Sequence, residues 1–210
     1  NNNSEIRIWI AGCSTGEEVY SLAIQLIECI ENKKGNYHLK IFATDIQENV
    51  LQRASKGEYP GSIVADVSHE RLKKYFVKHG NSYKIKENIR KMIIFSKHDV
   101  TNDPPFHKID LISCRNLLIY LKPEIQQKII ANFKFSLQNQ GYLFLGSSES
   151  LGDMFKDFKV INSKWNIYQC KKTGQVNLNN LAIDINNKDN DNYKINSINN
   201  LDSDTDNHKF

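Results

Sequence analysis

A chain of 210 residues, 40% hydrophobic and 25% charged, is close to the globular average and has room for one α/β domain with a sizeable core. It contains no apolar run of the roughly 18–20 residues that a spanning helix needs, and no signal peptide opens it. Its four cysteines (Cys13, Cys29, Cys114, Cys170) lie far apart without CxxC spacing, which argues against a disulfide framework or a zinc site and for a cytoplasmic protein with reduced thiols. The net charge of +4 hides an asymmetry: from Thr173 onward six aspartates face three lysines, net −3, which leaves +7 for residues 1–172. A basic folded part suits an acidic partner surface. No stretch interleaves clustered basic residues with stacking aromatics, so nucleic acid is not the expected partner.

The predicted elements alternate along the chain. Ile6–Ala11 reads as a buried strand, and Glu17–Glu31 as a helix with Val19, Ala23, Leu26, Ile27 and Ile30 on one face. Leu39–Ala43 is a second strand, followed by a helix over Glu48–Lys56. Lys73–Val77 and Tyr83–Lys86, joined by the polar turn His79–Ser82, read as a β-hairpin inserted over about 73–91. Met92–Ser96 and Ile109–Cys114 are further strands. Pro123–Leu137 is a helix with proline in its first turn, and Gly141–Gly146 and Trp165–Lys171 close the series as strands. Such alternation predicts a mostly parallel α/β sheet covered on both faces, with an antiparallel last strand. The Asn/Asp-rich segment 173–210 buries too little apolar surface to offset ordering and reads as a disordered tail or linker after a domain of residues 1–172.

Four segments carry candidate chemistry. Ile10-Ala-Gly-Cys-Ser-Thr-Gly-Glu-Glu18 joins the first strand to the first helix, and its small residues let a ligand approach the backbone at the carboxyl end of the sheet. A tight turn with Ser14 or Thr15 as N-cap is the alternative. The segment is not GxGxxG, and two glutamates just inside the helix would repel a pyrophosphate while suiting a cationic ligand such as a sulfonium amino acid. Asp45, ending the second strand, is placed either to accept bonds from two ribose hydroxyls or to cap the next helix. Ser96-Lys-His-Asp-Val100 is a polar exit from the third strand. Ile109–Cys114 ends in Arg115-Asn116, with Tyr120 in the following turn.

Gly12-Cys-Ser-Thr-Gly-Glu-Glu-Val-Tyr-Ser-Leu-Ala23, Ala43-Thr-Asp-Ile46, Cys114-Arg-Asn-Leu-Leu-Ile-Tyr120 and Gly141-Tyr-Leu-Phe-Leu-Gly-Ser-Ser-Glu-Ser-Leu151 together resemble the chemotaxis-receptor glutamate methyltransferases, the CheR family. The resemblance covers about Ile6 to Lys171. It implies a Rossmann-like class I methyltransferase fold and S-adenosylmethionine as cofactor, leaving S-adenosylhomocysteine as product. It places Ala11, Ser14, Thr15, Glu17, Glu18, Asp45, Ile46, Asp99, Val100, Arg115 and Asn116 around that cofactor, and Tyr120 with Arg115 at the reacting end. It also implies that chemoreceptor cytoplasmic helices are the acceptors, and that the hairpin matches a subdomain which docks a receptor peptide in some relatives. An amino-terminal helical domain belongs to the family pattern and is expected before Asn1. A non-catalytic cofactor-binding or scaffolding module is the alternative from another class, and methylation of small molecules or nucleic acid is a third.

Overall fold

The structure is a computed structural model that describes residues 3–33 and 35–171; the expected tail over 173–210 lies outside the described residues. The chain begins with β1 (Asn3–Ala11), α1 (Glu17–Glu31), β2 (Asn36–Asp45) and α2 (Glu48–Lys56). β3 (Glu58–Pro60), a 3-10 turn (Gly61–Ala65), α3 (His69–Tyr75), β4 (Phe76–His79) and β5 (Ser82–Ile85) follow. The remaining elements are α4 (Glu87–Arg90), β6 (Ile93–Lys97), β7 (Ile109–Cys114), a 3-10 turn (Leu118–Tyr120), α5 (Pro123–Ser136), β8 (Leu137–Leu145), a 3-10 turn (Gly152–Asp157), β9 (Phe158–Asn162) and β10 (Ile167–Cys170).

The main sheet has the order β6-β2-β1-β7-β8-β10-β9. Neighbours from β6 through β8 run parallel, and β10 is antiparallel to both β8 and β9. Central β1 shows why its sequence is apolar without alternation. Ile8 and Ile10 belong to the core shared with α1, whereas Trp9 and Ala11 belong to the core shared with α5, because successive strand residues face opposite sides. All four are at most 1% exposed. Trp9 meets Phe133 and Phe106 edge-on, and its indole N–H donates to Thr44 Oγ1 at 2.9 Å, which satisfies the one polar atom it buries.

The helical face of α1 is wider than its three- and four-residue spacing implies. Tyr20 and Ile24 are buried with Val19 and Ala23, and Leu26, Ile27 and Ile30 pack at the margin of the core. The Tyr20 hydroxyl donates to Ala54 O at 2.7 Å, so an aromatic ring can sit inside without an orphaned polar group.

The insertion differs from the expected hairpin in two ways. Lys73–Tyr75 is the last turn of α3 and not strand, because Ser68 caps that helix by accepting from Arg71 N. β4 therefore begins only at Phe76. A third strand, β3, lies outside residues 73–91 and completes an antiparallel sheet of order β3-β5-β4. The Arg71 guanidinium of α3 grips Glu28 of α1 in a two-bond fork, at 3.0 and 2.6 Å, and ties the two helices together. β9 is a further strand the sequence pattern passes over: Phe158 alone is buried in it, so no alternation marks it. No helix among the described residues is long and apolar enough to cross a membrane.

Candidate functional site

Parallel register brings the carboxyl ends of four strands into line. Ala11 stands opposite Thr44 on one side and Cys114 on the other, and Asp45 stands opposite Lys97. Between β1 and β7 the sheet order reverses, which opens a crevice beyond the strand ends.

The loop between β1 and α1 is built by backbone bonds to β2. Cys13 N donates to Thr44 O, and Ser14 N donates to Asp45 Oδ2 at 2.9 Å. Ser14 holds φ 46°, a left-handed conformation that an L side chain rarely adopts, next to the carboxylate that fixes it. Gly16 is required at the mouth of α1: its φ is 91° and an added Cβ would lie 2.9 Å from Ala54 Cβ. Neither Ser14 nor Thr15 caps the helix, since Gly16 occupies the N-cap without a side-chain bond. Asp45 does not cap α2 either. Its Oδ1 accepts from Gln47 N at 2.9 Å, so both carboxylate oxygens anchor loops that border the crevice.

A cavity of about 150 Å³ lies there, lined by Gly12, Thr44, Asp45, Ile46, His98, Asp99, Val100, Thr101, Leu117 and Leu121. Asp45, Ile46, Asp99 and Val100 thus come together at one end of the cleft. His98 is stacked on Phe106 and edge-on to Trp9. The Asp99 carboxyl is held below its usual range because the Thr101 hydroxyl (2.6 Å) and amide (2.9 Å) donate to it, with Asn102 adding a third bond. Asp99 is therefore committed to its own turn as an ionised wall of the cavity.

A second cluster stands at the β7 side. Glu18 Oε1 accepts from the Ser113 hydroxyl at 2.6 Å, and Oε2 pairs with Arg115 at 3.3 Å. The Arg115 guanidinium lies 4.8 Å from the centre of the Phe144 ring. Ala11 is buried at the end of β1, and Asn116 holds φ 57° where the chain leaves β7.

Three further expected site residues do not line the 150 Å³ cavity. The Thr15 hydroxyl donates to Glu17, and Glu17 lines a larger cavity of about 390 Å³ between α1 and the small sheet, off the strand ends. Tyr120 is 78% exposed at the end of its 3-10 turn and lines neither cavity.

Ser113, Leu117, Tyr59 and Glu149 belong to the site's framework and were not expected from sequence. Ser113 had a legible signal: it is a lone hydroxyl in an apolar strand, two residues before Arg115 and hence on the same face. Tyr59 had none, because its bond to Thr15 O (3.2 Å) depends on where the insertion folds.

The donor set fits S-adenosylmethionine. Asp45 stands at the cavity as an acceptor for hydroxyls, the Glu18 carboxylate is available to an amine, and two buried nitrogens at the cleft, His98 Nδ1 and Arg115 Nε, have no protein partner.

The strand order, with β10 antiparallel between β8 and β9, is that of the Rossmann-like class I methyltransferases. Residues 1–167 match the family described as "CheR methyltransferase, SAM binding domain". The chemotaxis protein methyltransferase of Borreliella burgdorferi is 38% identical over 152 residues, covering 71% of this chain and 54% of that protein. An uncharacterized 104.1 kDa protein of Rhodobacter capsulatus is 38% identical over 175 residues, 83% of this chain and 18% of that one. Among solved structures, a TehB-like SAM-dependent methyltransferase from Corynebacterium glutamicum aligns with 81% of this chain and 82% of its own at 14% identity and TM-score 0.48. The chain belongs to the CheR methyltransferase family, and its matched region is that family's S-adenosylmethionine-binding domain. It spans about half the length of the chemotaxis methyltransferases it matches.

Proposed function

We propose that this domain transfers the methyl group of S-adenosylmethionine to glutamate side-chain carboxylates of chemoreceptor-like proteins. The observation that carries the proposal is a pair of carboxylates at the carboxyl-end side of the sheet, Asp45 tied to the Ser14 loop and Glu18 tied to Ser113 and Arg115, in a chain of the CheR family. Asp45 would accept from ribose hydroxyls. Glu18 would meet the methionine amine, with Arg115 beside it as a partner for a carboxylate. Ile46, Val100 and Leu117, which line the cavity with Asp45, would supply apolar walls for the adenine.

Bound S-adenosylmethionine supplies a methyl group already activated by its sulfonium. A glutamate acceptor, with a reference pKa of about 4.3, is ionised at pH 7 and needs no general base. The protein's task is then alignment of the acceptor oxygen, a proximity problem that can contribute several kcal/mol. Tyr120, exposed on the turn that follows Arg115, would donate a hydrogen bond that orients the acceptor.

The test has two stages. Calorimetric titration with S-adenosylmethionine, run beside Asp45→Ala, should show saturable binding only in the native chain. Radiolabelled methyl transfer by the full-length protein to a receptor cytoplasmic fragment should then yield a base-labile ester. Binding without a base-labile product refutes carboxylate methylation and leaves a scaffolding module.

A further inference from the structure

Glu149 is the only carboxylate buried among the described residues, at 6% exposure. It has no cationic partner there. Its charge is met by backbone amides instead: Oε1 accepts from Leu117 N at 2.9 Å and Leu118 N at 2.8 Å, and Oε2 accepts from Gly146 N at 2.6 Å. A buried carboxylate is costly unless its lone pairs are satisfied, and removing it alone would leave three backbone amides without a partner. Satisfying those amides also has a consequence beyond stability.

That consequence lies in what the amides belong to. Leu117 lines the cofactor-end cavity, and the segment it starts runs through the 3-10 turn to Tyr120. Asn116, just before it, is left-handed. From α5, Gln126 Nε2 donates to Leu118 O at 3.0 Å and Leu121 O at 2.9 Å, which holds carbonyls of the segment, and Glu149 holds its amides from the turn after β8. The approach is close enough to exclude a side chain at Gly146. A Cβ there would stand 2.7 Å from Glu149 Oε2 and 3.1 Å from Asn116 N. Behind the turn, Asn166 Nδ2 donates to Gly146 O at 2.8 Å and to Glu149 O at 3.2 Å, and the Tyr168 hydroxyl bonds Asn166 Oδ1. A continuous strut thus runs from β10 through Glu149 to the segment carrying Leu117 and Tyr120.

We propose that Glu149 is a positioning residue for methyl transfer, holding Asn116–Tyr120 so that Leu117 walls the cofactor cavity and Tyr120 stands at the acceptor. This rests on the proposed carboxylate methylation. Cofactor anchoring at Asp45 uses neither this segment nor this turn.

The test uses the full-length protein with Glu149→Gln, Asn166→Gly and Tyr120→Phe. Glutamine keeps one acceptor oxygen but sets an NH2 group against an N–H donor. Glycine at 166 keeps the left-handed backbone (φ 49°) and removes the strut, so it reports if Glu149→Gln fails to fold. Expected in either variant is kcat lowered about tenfold or more, with S-adenosylmethionine affinity changed less than about fivefold. Amide exchange should quicken at Leu117 and Leu118 but not at Ser14. Combined with Tyr120→Phe, the losses in kcat should be less than additive, because both act through one segment. Full additivity, or quickened exchange with native kcat, overturns the positioning role. Unaltered exchange at Leu117 and Leu118 in a folded Glu149→Gln overturns it with the functional reading intact. A native protein that binds cofactor but esterifies nothing defeats that reading, and with it the catalytic consequence assigned to Glu149.

Discussion

Removing the Asp45 carboxylate tests the proposed ribose acceptor directly. Its two oxygens each accept one backbone amide at 2.9 Å, from Ser14 and from Gln47. Hydrogen bonds to a charged group contribute about 1.5–3 kcal/mol each, and partial exposure places these at the lower end. Asp45→Ala loses both, about 3 kcal/mol of loop anchoring, and frees Ser14 from a φ of 46° that costs energy to hold. At about 1.4 kcal/mol per factor of ten, S-adenosylmethionine affinity should fall about a hundredfold or more. Asp45→Asn keeps one acceptor oxygen and should fall about tenfold. Calorimetry with S-adenosylmethionine and S-adenosylhomocysteine measures the order native, Asn, Ala. Thermal melts should show cooperative unfolding in all three, because Asp45 stands at a sheet end outside both cores. Affinity within about threefold of native in a folded Asp45→Ala would refute the role assigned to this residue.

Four further expectations follow from the same geometry. Glu18→Gln weakens its pairing with Arg115 and its attraction for an amine, so cofactor affinity should drop about tenfold by calorimetry with little change in melting. Tyr120→Phe removes a hydroxyl from a residue 78% exposed; stability should stay within about 0.5 kcal/mol while kcat falls and cofactor affinity holds. Burial pushes the Cys13 thiol up to about 12, with the nearby Asp45 charge adding to it, and burial also raises Cys114 and Cys170, whereas Cys29 is exposed. A chromogenic disulfide reagent at pH 8 should therefore titrate one thiol in the native protein, lost in Cys29→Ser, and four after unfolding. The lowered Asp99 pKa means its contribution to stability is present above the unfolded value of about 3.9 and disappears as pH falls through the lower folded value. The stability difference between native and Asp99→Asn should then be flat from pH 7 to 5 and shrink only below about pH 4. A decline already evident near pH 6 would contradict the Thr101 hydrogen bonds as its cause.

Local pattern made much of the architecture legible. Residues 17–31, 48–56 and 109–114 adopt the elements their periodicity predicts, since an amphipathic helix or an all-apolar strand buries the same side chains whatever its neighbours are. The loop motif at 10–18 and the acid at 45 were legible because each follows a strand end, where an open α/β sheet binds ligands. β3 was not, since three residues ending in proline have no period of their own and become a strand only by pairing with β5. The same holds for β9, whose ladder is with β10. Lys73–Tyr75 went to helix because capping by Ser68 outweighed their strand-like appearance.

By itself, then, the sequence determined the class of fold, the side of the sheet where chemistry sits and the family to which the residues belong, because those depend on short-range order and spacing. Tertiary structure decided the partnerships. Asp45 anchors the Ser14 loop across 31 residues, Glu18 shares its carboxylate with Ser113 and Arg115 across 95 and 97, and Glu149 holds amides 31 and 32 residues away. It also paired the Thr15 hydroxyl with Glu17, which lines the cavity between α1 and the small sheet. A hydrogen bond needs its donor and acceptor within about 3 Å, and residues so far apart in sequence reach that separation only when the sheet register has been set.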